Sequence, residues 1–325
     1  MDVVHQLGLR LIAAIQSIGP AFELPMRCFS LLGQEDFFRL LLSALYWCVD
    51  SSLGMRLTLL LLFSHPVNAW AKWALHAPRP YWLVPSLGRA VETSYGVPSG
   101  HAQNAVVIWL FLAAGIRRRA AWVVAVGLIL LVSLSRLYLG VHFPHDVLVG
   151  WLLGGGCLWL FLRGAPSVEQ RLGKCSSRGL AGAALGIAGV VALVSVGILS
   201  ALSGVADPAG WAAFAKDARS SKEIASGAGM IAGAVLGFGL QYRRVQFDAG
   251  GAVRERVLRF LLGTAGMVLI LSGLGSVLPG GHTLPGYLGR FARYFLAIFW
   301  AAFLAPWVFV RLGTARTVRT RLEIA

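Results

Sequence analysis

Long apolar runs broken by short polar turns make up most of this chain. Nine segments fit the pattern: 34–50, 54–75, 99–115, 120–138, 145–163, 179–203, 224–241, 257–279 and 290–311. A helix needs roughly 20 consecutive apolar residues to cross a bilayer, and several of these segments approach that length. The first is short and the third is polar at its start. The pattern predicts an all-α, polytopic membrane helix bundle of about nine transmembrane helices. Ahead of them, residues 3–17, VVHQLGLRLIAAIQS, read as an amphipathic helix lying in the interface, with a frayed tail as the alternative.

Composition supports this class. Of 325 residues, 57% are hydrophobic and 13% charged, about half the charged share usual in soluble domains. The net charge of +15 raises nucleic acid as a partner. That is rejected, because the cations sit in short runs between apolar segments, as basic loops at a membrane boundary do. Alternate connections carry Arg56, then Arg117 to Arg119, then Arg163, Arg171, Lys174 and Arg178, then Arg243, Arg244, Arg254, Arg256 and Arg259, and last Arg311, Arg316, Arg319 and Arg321. The positive-inside rule puts that side in the cytoplasm, with the N-terminus outside. The start lacks the layout of a signal peptide. Cys28, Cys48, Cys157 and Cys175 show no paired spacing and read as packing residues.

Three polar clusters fall on the outer side. Lys72 is followed after six residues by Arg79-Pro80, in KWALHAPRP. Pro98, Ser99, Gly100 and His101 form PSGH. Ser135-Arg136, five residues, His142, three residues and Asp146 make up SRLYLGVHFPHD. An ionisable residue at membrane depth costs roughly 2.5–3.5 kcal/mol on insertion scales. A snorkelling lysine explains one such group; it does not explain six. Pro144 suits the first turn of a helix, which puts His142 just before that helix and Asp146 in its first turn. An aspartate bonded to one ring nitrogen fixes the tautomer and leaves the other nitrogen free to attack. Ser99 and Gly100 open another helix, whose first N–H groups and dipole favour an anion. With Lys72, Arg79 and Arg136 the implied ligand is a compact, multiply charged anion such as a phosphoryl group. Of two histidines beside a phosphate, one can be the nucleophile and the other the acid for the leaving oxygen. No acidic cluster suited to magnesium stands in the sequence, so the expectation is no metal and no cofactor.

These motifs, K-x6-R-P, P-S-G-H and S-R-x5-H-x3-D, are complete, in order and correctly spaced. The chain thereby resembles the type 2 phosphatidic acid phosphatase superfamily, which spans integral-membrane lipid phosphatases, glucose-6-phosphatase and soluble vanadium haloperoxidases. The resemblance covers about residues 35–165, and KWALHAPRPYW and SRLYLGVHFPHD look most like the glucose-6-phosphatase branch. It implies that His142 is the nucleophile, oriented by Asp146, and that His101 is the general acid and later the base. It implies that Lys72, Arg79, Ser99, Gly100 and Arg136 bind the phosphate, without a metal. The expected domains are then an interfacial region at 1–33, a phosphatase core at 34–165, and C-terminal transmembrane helices at 166–325.

Other residues have weaker claims. Glu92, His76, Tyr81 and Trp82 are candidates for substrate contact. Against them stand a solvated loop acid, a loop histidine and an interfacial aromatic belt. His145 reads as an interface residue and His65 as packing at a kink before Pro66. Asn68, Gln103 and Asn104 read as bonds between helices. The loop 204–223 is either a connector or an interfacial helix over the site's mouth. The expected partners are membrane lipids and a phosphorylated lipid or sugar-phosphate substrate. The expected location is a bacterial inner membrane with the site facing the periplasm, or an endoplasmic reticulum with a lumenal site. A transporter or flippase is the competing class. It fits less well, because Asp207, Asp217, Glu223, Asp248, Glu255 and Glu323 all fall in loops or the tail.

Overall fold

The computed structural model describes residues 3–318. Arg319, Arg321 and Glu323, counted above with the basic and acidic positions, lie outside the described residues. The chain is mostly helical. Its helices are α1 (Val3–Gln16), α2 (Glu23–Leu31), α3 (Glu35–Ala44), α4 (Ser51–Leu75), α5 (Pro80–Leu83), α6 (Gly100–Ile116) and α7 (Arg119–Tyr138). Then come α8 (Pro144–Lys174), α9 (Ser177–Ala201), α10 (Lys222–Arg244), α11 (Val253–Val268), α12 (Leu274–Val277), α13 (Leu284–Phe299) and α14 (Ala305–Arg311). Two short strands, β1 (Phe247–Asp248) and β2 (Arg316–Thr317), pair antiparallel.

A helix stands at each of the nine apolar segments. Among the described residues, six are long and apolar enough to cross a membrane, or seven if the bent pair Val3–Gln16 and Pro20–Leu31 is counted as one span. The difference from nine has a physical reason. Segment 34–50 opens on Glu35 and Asp36 in α3, α6 has 17 residues, and α4 carries His65, Asn68 and Lys72 around an internal Pro66.

The chain forms two compact units. One comprises 1–38, 63–161 and 197–220; the other comprises 39–62, 162–196 and 221–325. The first holds all three polar clusters. Its α6 and α7 pack through Ala105, Val106, Ile129 and Val132, with Leu32, Trp109 and Trp151 around them. The start of α8 lies against α6 through two glycines. A Cβ on Gly150 would fall 2.6 Å from Ser99 O, and one on Gly154 would fall 2.7 Å from Gln103 O. Small residues let membrane helices approach at backbone distance, and here that contact sets the spacing between the second and third motifs. Asn68 Nδ2 donates to Gln103 Oε1 (2.8 Å), and Gln103 Nε2 donates to Ser64 Oγ (2.7 Å). The expected polar links between helices thus join α4 to α6.

The second unit is built on α10 against α13. Gly229, Gly233 and Gly237 face Phe291, Phe295 and Ala302, and Cβ atoms there would fall 2.4 to 2.8 Å from their neighbours. The Phe291, Phe295 and Phe299 rings stack along α13. Arg259 is fully buried and donates to the carbonyls of Asp248, Ala249 and Gly250, closing the turn after β1.

Candidate active site

Local sequence places the catalytic candidates. Ser99 caps α6, its hydroxyl accepting from Ala102 N, so Gly100 and His101 open that helix. Pro144 starts α8, leaving His142 in the preceding turn and Asp146 in the first helical turn. The two starts are joined directly, since Ser99 N donates to Asp146 O (2.9 Å).

His142 is buried and bonded through both ring nitrogens. Its Nδ1 lies 3.1 Å from Asp146 Oδ2, which also accepts from Phe143 N at 2.8 Å. Arg79 Nη1 lies 3.1 Å from the other nitrogen, Nε2. An arginine only donates. The consistent assignment is a neutral ring that donates from Nδ1 to the aspartate and keeps its Nε2 lone pair. Burial, then the charges of Arg79, Lys72, Arg136 and His101, push the His142 pKa well down.

The three cations are buried. Arg79 Nε donates to Ser94 O (2.6 Å), Nη2 to Ser94 Oγ (3.0 Å) and Nη1 to Val141 O (2.8 Å). Lys72 Nζ donates to Tyr95 O. Arg136 donates to Ser30 Oγ and to the Glu92 carboxylate. Burial acts to raise the Glu92 pKa, but Arg136, Arg79, His101 and Lys72 outweigh it and bring it to about 2. The loop acid is therefore not a solvated one. It is a carboxylate held among the cations, where an anion was expected.

Among the described residues, His101 Nε2 is buried without a hydrogen-bond partner. Gly33 makes room for this ring, since a Cβ there would fall 2.3 Å from His101 Cδ2. Gly100 faces Asn68, with a Cβ position 3.3 Å from Asn68 Oδ1.

The weaker candidates divide. The Tyr81 hydroxyl donates to Glu92 O (2.8 Å) and accepts from Glu92 N (3.0 Å), so it holds the Glu92 backbone. Trp82 is buried and lies among Tyr95, Trp211 and Phe214 rather than in an exposed belt. His76 packs edge-on against Tyr95 and bonds its own turn at Ala74 O. His145 Nε2 lies 3.1 Å from Asp146 Oδ1. Sequence reasoning missed Ser30, Gly33, Ser94 and Tyr95. The first two are ordinary residues of the α2–α3 stretch with no local signal; the last two sit beside Glu92 in a short polar loop.

Residues 53–168 match the family model of the PAP2 superfamily, and residues 225–317 match that of the PAP2 superfamily phosphatase transmembrane extension. The chain is similar to glucose-6-phosphatase 3 of Mus musculus, 28% identical over 196 residues, covering 52% of this chain and 56% of that protein. It is also similar to sphingosine-1-phosphate phosphatase 2 of Homo sapiens, 35% identical over 129 residues, covering 38% of this chain and 32% of that protein. The chain thus spans about half the length, or less, of these curated relatives. Among solved structures, a transmembrane PAP2-type phosphatidylglycerolphosphate phosphatase from Bacillus subtilis aligns with a TM-score of 0.45 at 24% identity, covering 52% of this chain and 89% of that one.

Proposed function

Because the chain belongs to the PAP2 superfamily, we propose that it is an integral-membrane phosphatase acting on a phosphate monoester or pyrophosphate through a phosphohistidine, without a metal. The observation that carries this is His142, held through Nδ1 by Asp146 with Nε2 toward Arg79.

His142 Nε2 attacks phosphorus in line as the P–O bond to the leaving group breaks. His101 gives its Nε2 proton to the leaving oxygen. In the second step His101 takes a proton from water, the water oxygen bonds phosphorus, and the P–N bond breaks to release phosphate and restore His142. Lys72, Arg79 and Arg136 balance the charge on the equatorial oxygens, with the Ser99 and Gly100 end of α6 beside them. Asp146 stabilises the imidazolium that forms.

The substrate is a lipid phosphate in the preferred reading. A polar site embedded among helices at a membrane face suits a headgroup arriving sideways from the bilayer. Phosphatidate, phosphatidylglycerol phosphate, an isoprenoid pyrophosphate and a sphingoid phosphate are the candidates, at the periplasmic or lumenal face of an inner or endoplasmic-reticulum membrane. Likeness to glucose-6-phosphatase 3 supports a sugar phosphate as the second reading, with Glu92 then a contact for the leaving group. Transfer of the phosphoryl group to an acceptor other than water uses the same first step.

The test is phosphate release by the detergent-purified protein in EDTA, from a lipid and sugar-phosphate panel, beside His142→Ala. Release that survives EDTA and vanishes in the variant is the expected result. Release unchanged in the variant removes His142 from its role.

A further inference from the structure

Residues 197–220 lie between the two family matches, at 53–168 and 225–317, yet they belong to the compact unit that holds the polar clusters. Within that unit they grip both sides of Lys72. Trp73, its chain neighbour, is buried and donates from Nε1 to Ala218 O (3.1 Å). Tyr95, whose main-chain oxygen accepts from Lys72 Nζ, is clasped by its hydroxyl. That hydroxyl donates to Asp207 (2.9 and 3.0 Å to the two carboxylate oxygens) and accepts from Arg219 Nε at 2.7 Å.

The clasp is closed on itself. Arg219 Nη2 donates to Asp207 Oδ1 (3.1 Å), and Nη1 donates to Leu202 O (3.0 Å) and Val205 O (2.7 Å). One guanidinium therefore ties the two ends of the segment together and fixes both to Tyr95. The Tyr95 ring is fully buried, with Trp82 and Trp211 edge-on against it. Burial and the Asp207 hydrogen bond push the Tyr95 hydroxyl up to about 12, so it remains a donor at neutral pH.

Lysine needs such support. Its ammonium is a point charge on a flexible four-carbon stem, and it binds a phosphate well only when its place is set beforehand. Tyr95 lies in the loop before α6, and loops are the more mobile parts of a fold. We propose that Asp207 and Arg219 are positioning residues for Lys72: by clasping Tyr95 they hold the main-chain oxygen that places the lysine ammonium at the phosphate. This rests on the reading of the polar clusters as a phosphate site.

The experiment is a set of double-mutant cycles read by calorimetric binding of inorganic phosphate to the full chain in detergent, which needs no turnover. Tyr95→Phe keeps the ring and the main-chain oxygen and removes only the clasped hydroxyl. It and Asp207→Asn are each expected to weaken phosphate by about tenfold, a coupling of ordinary size for groups in one network. On a Lys72→Met background neither is expected to weaken it further, and Arg219→Lys should lose less than Arg219→Met. Full loss retained on the Lys72→Met background overturns the proposal. So does a fall in melting temperature in Tyr95→Phe with phosphate affinity unchanged, which would make the clasp merely stabilising. A wild type that binds no phosphate overturns the phosphate site and this proposal with it. Binding without any hydrolysis would count against the catalytic reading alone.

Discussion

Arg79 Nη1 lies 3.1 Å from His142 Nε2, the nitrogen that Asp146 leaves free. A cation on that lone pair suppresses protonation of the ring and stands where an incoming phosphoryl oxygen would be received. The same side chain thus keeps His142 neutral and, in the proposed mechanism, supplies the counter-charge for the phosphoryl group it attacks.

His142→Ala should reduce phosphate release by at least about a thousandfold, as loss of a nucleophile does. His101→Ala should cost about 10²–10⁴-fold on an alkyl phosphate, the usual worth of a general acid. With p-nitrophenyl phosphate, whose leaving group needs little protonation, most of the first-step loss should return, as a burst of nitrophenolate. Equal loss on both substrates would move His101 out of that role.

Asp146→Asn keeps the size but lets an amide face Nδ1, which favours the wrong tautomer. A fall of about 10²–10⁴ in turnover is expected, by analogy with aspartates that orient catalytic imidazoles. Asp146 also accepts from Phe143 N, so the melting temperature of the variant should be measured beside its rate. A variant that is fully active would show that tautomer control is not its function.

Glu92→Gln removes the carboxylate that now neutralises Arg136. Inorganic phosphate should then inhibit several-fold more strongly, because it no longer competes with a resident negative charge. The carboxylate also makes a contribution to stability. With its pKa depressed to about 2, that contribution is complete above the ordinary glutamate value near 4.5 and is lost as pH falls toward about 2. A melting curve of wild type that steepens over this window, and a flatter one for Glu92→Gln, would agree.

His142 sets a second pH window. Its folded pKa lies well below the usual histidine value, so below pH about 6.5 the unfolded chain takes up a proton that the folded chain does not. Through this group, stability is lost on acidification below about pH 6.5 and regained as pH rises to that value. His142→Asn should flatten that slope, as read from melting temperatures between pH 5 and 8.

Gly150→Ala adds a Cβ whose place is 2.6 Å from Ser99 O. Overpacking of this kind costs about 1–3 kcal/mol, and here it would also separate the α6 start from the α8 start. Loss of melting temperature together with a raised KM is expected. Gly155→Ala, five positions along on an open face, is the control that should change neither.

The gathering of the polar clusters was legible because ionisable side chains in an apolar chain have few structural uses. Lys72, Arg79, His101, Arg136, His142 and Asp146 announced themselves by cost, and Ser99 and Pro144 fixed the helix starts beside two of them. Span counting was less secure. It weighs length and apolarity, and α4 gives up apolarity to carry Asn68 and Lys72. Glu92 was readable as a candidate, but its pairing with Arg136 depends on how the loop before α6 closes, which adjacent residues do not specify. Asp207 and Arg219 were beyond reach, since in sequence they are charged residues of an exposed-looking loop. Their meaning comes from Tyr95, more than a hundred positions earlier.

The interleaving of the compact units bears on how this protein can be divided. The stretch that carries the three motifs ends near residue 165, and a shortened gene encoding it would look like a self-contained catalytic module. Such a fragment would lack 197–220, leaving the Tyr95 hydroxyl and Trp73 Nε1 without their partners and one side of Trp82 bare. Transplanting the unit that carries the motifs onto another membrane scaffold therefore means carrying a discontinuous piece. The natural cut points for chimeras fall on either side of that stretch, near 196 and 221, rather than at the end of the last motif.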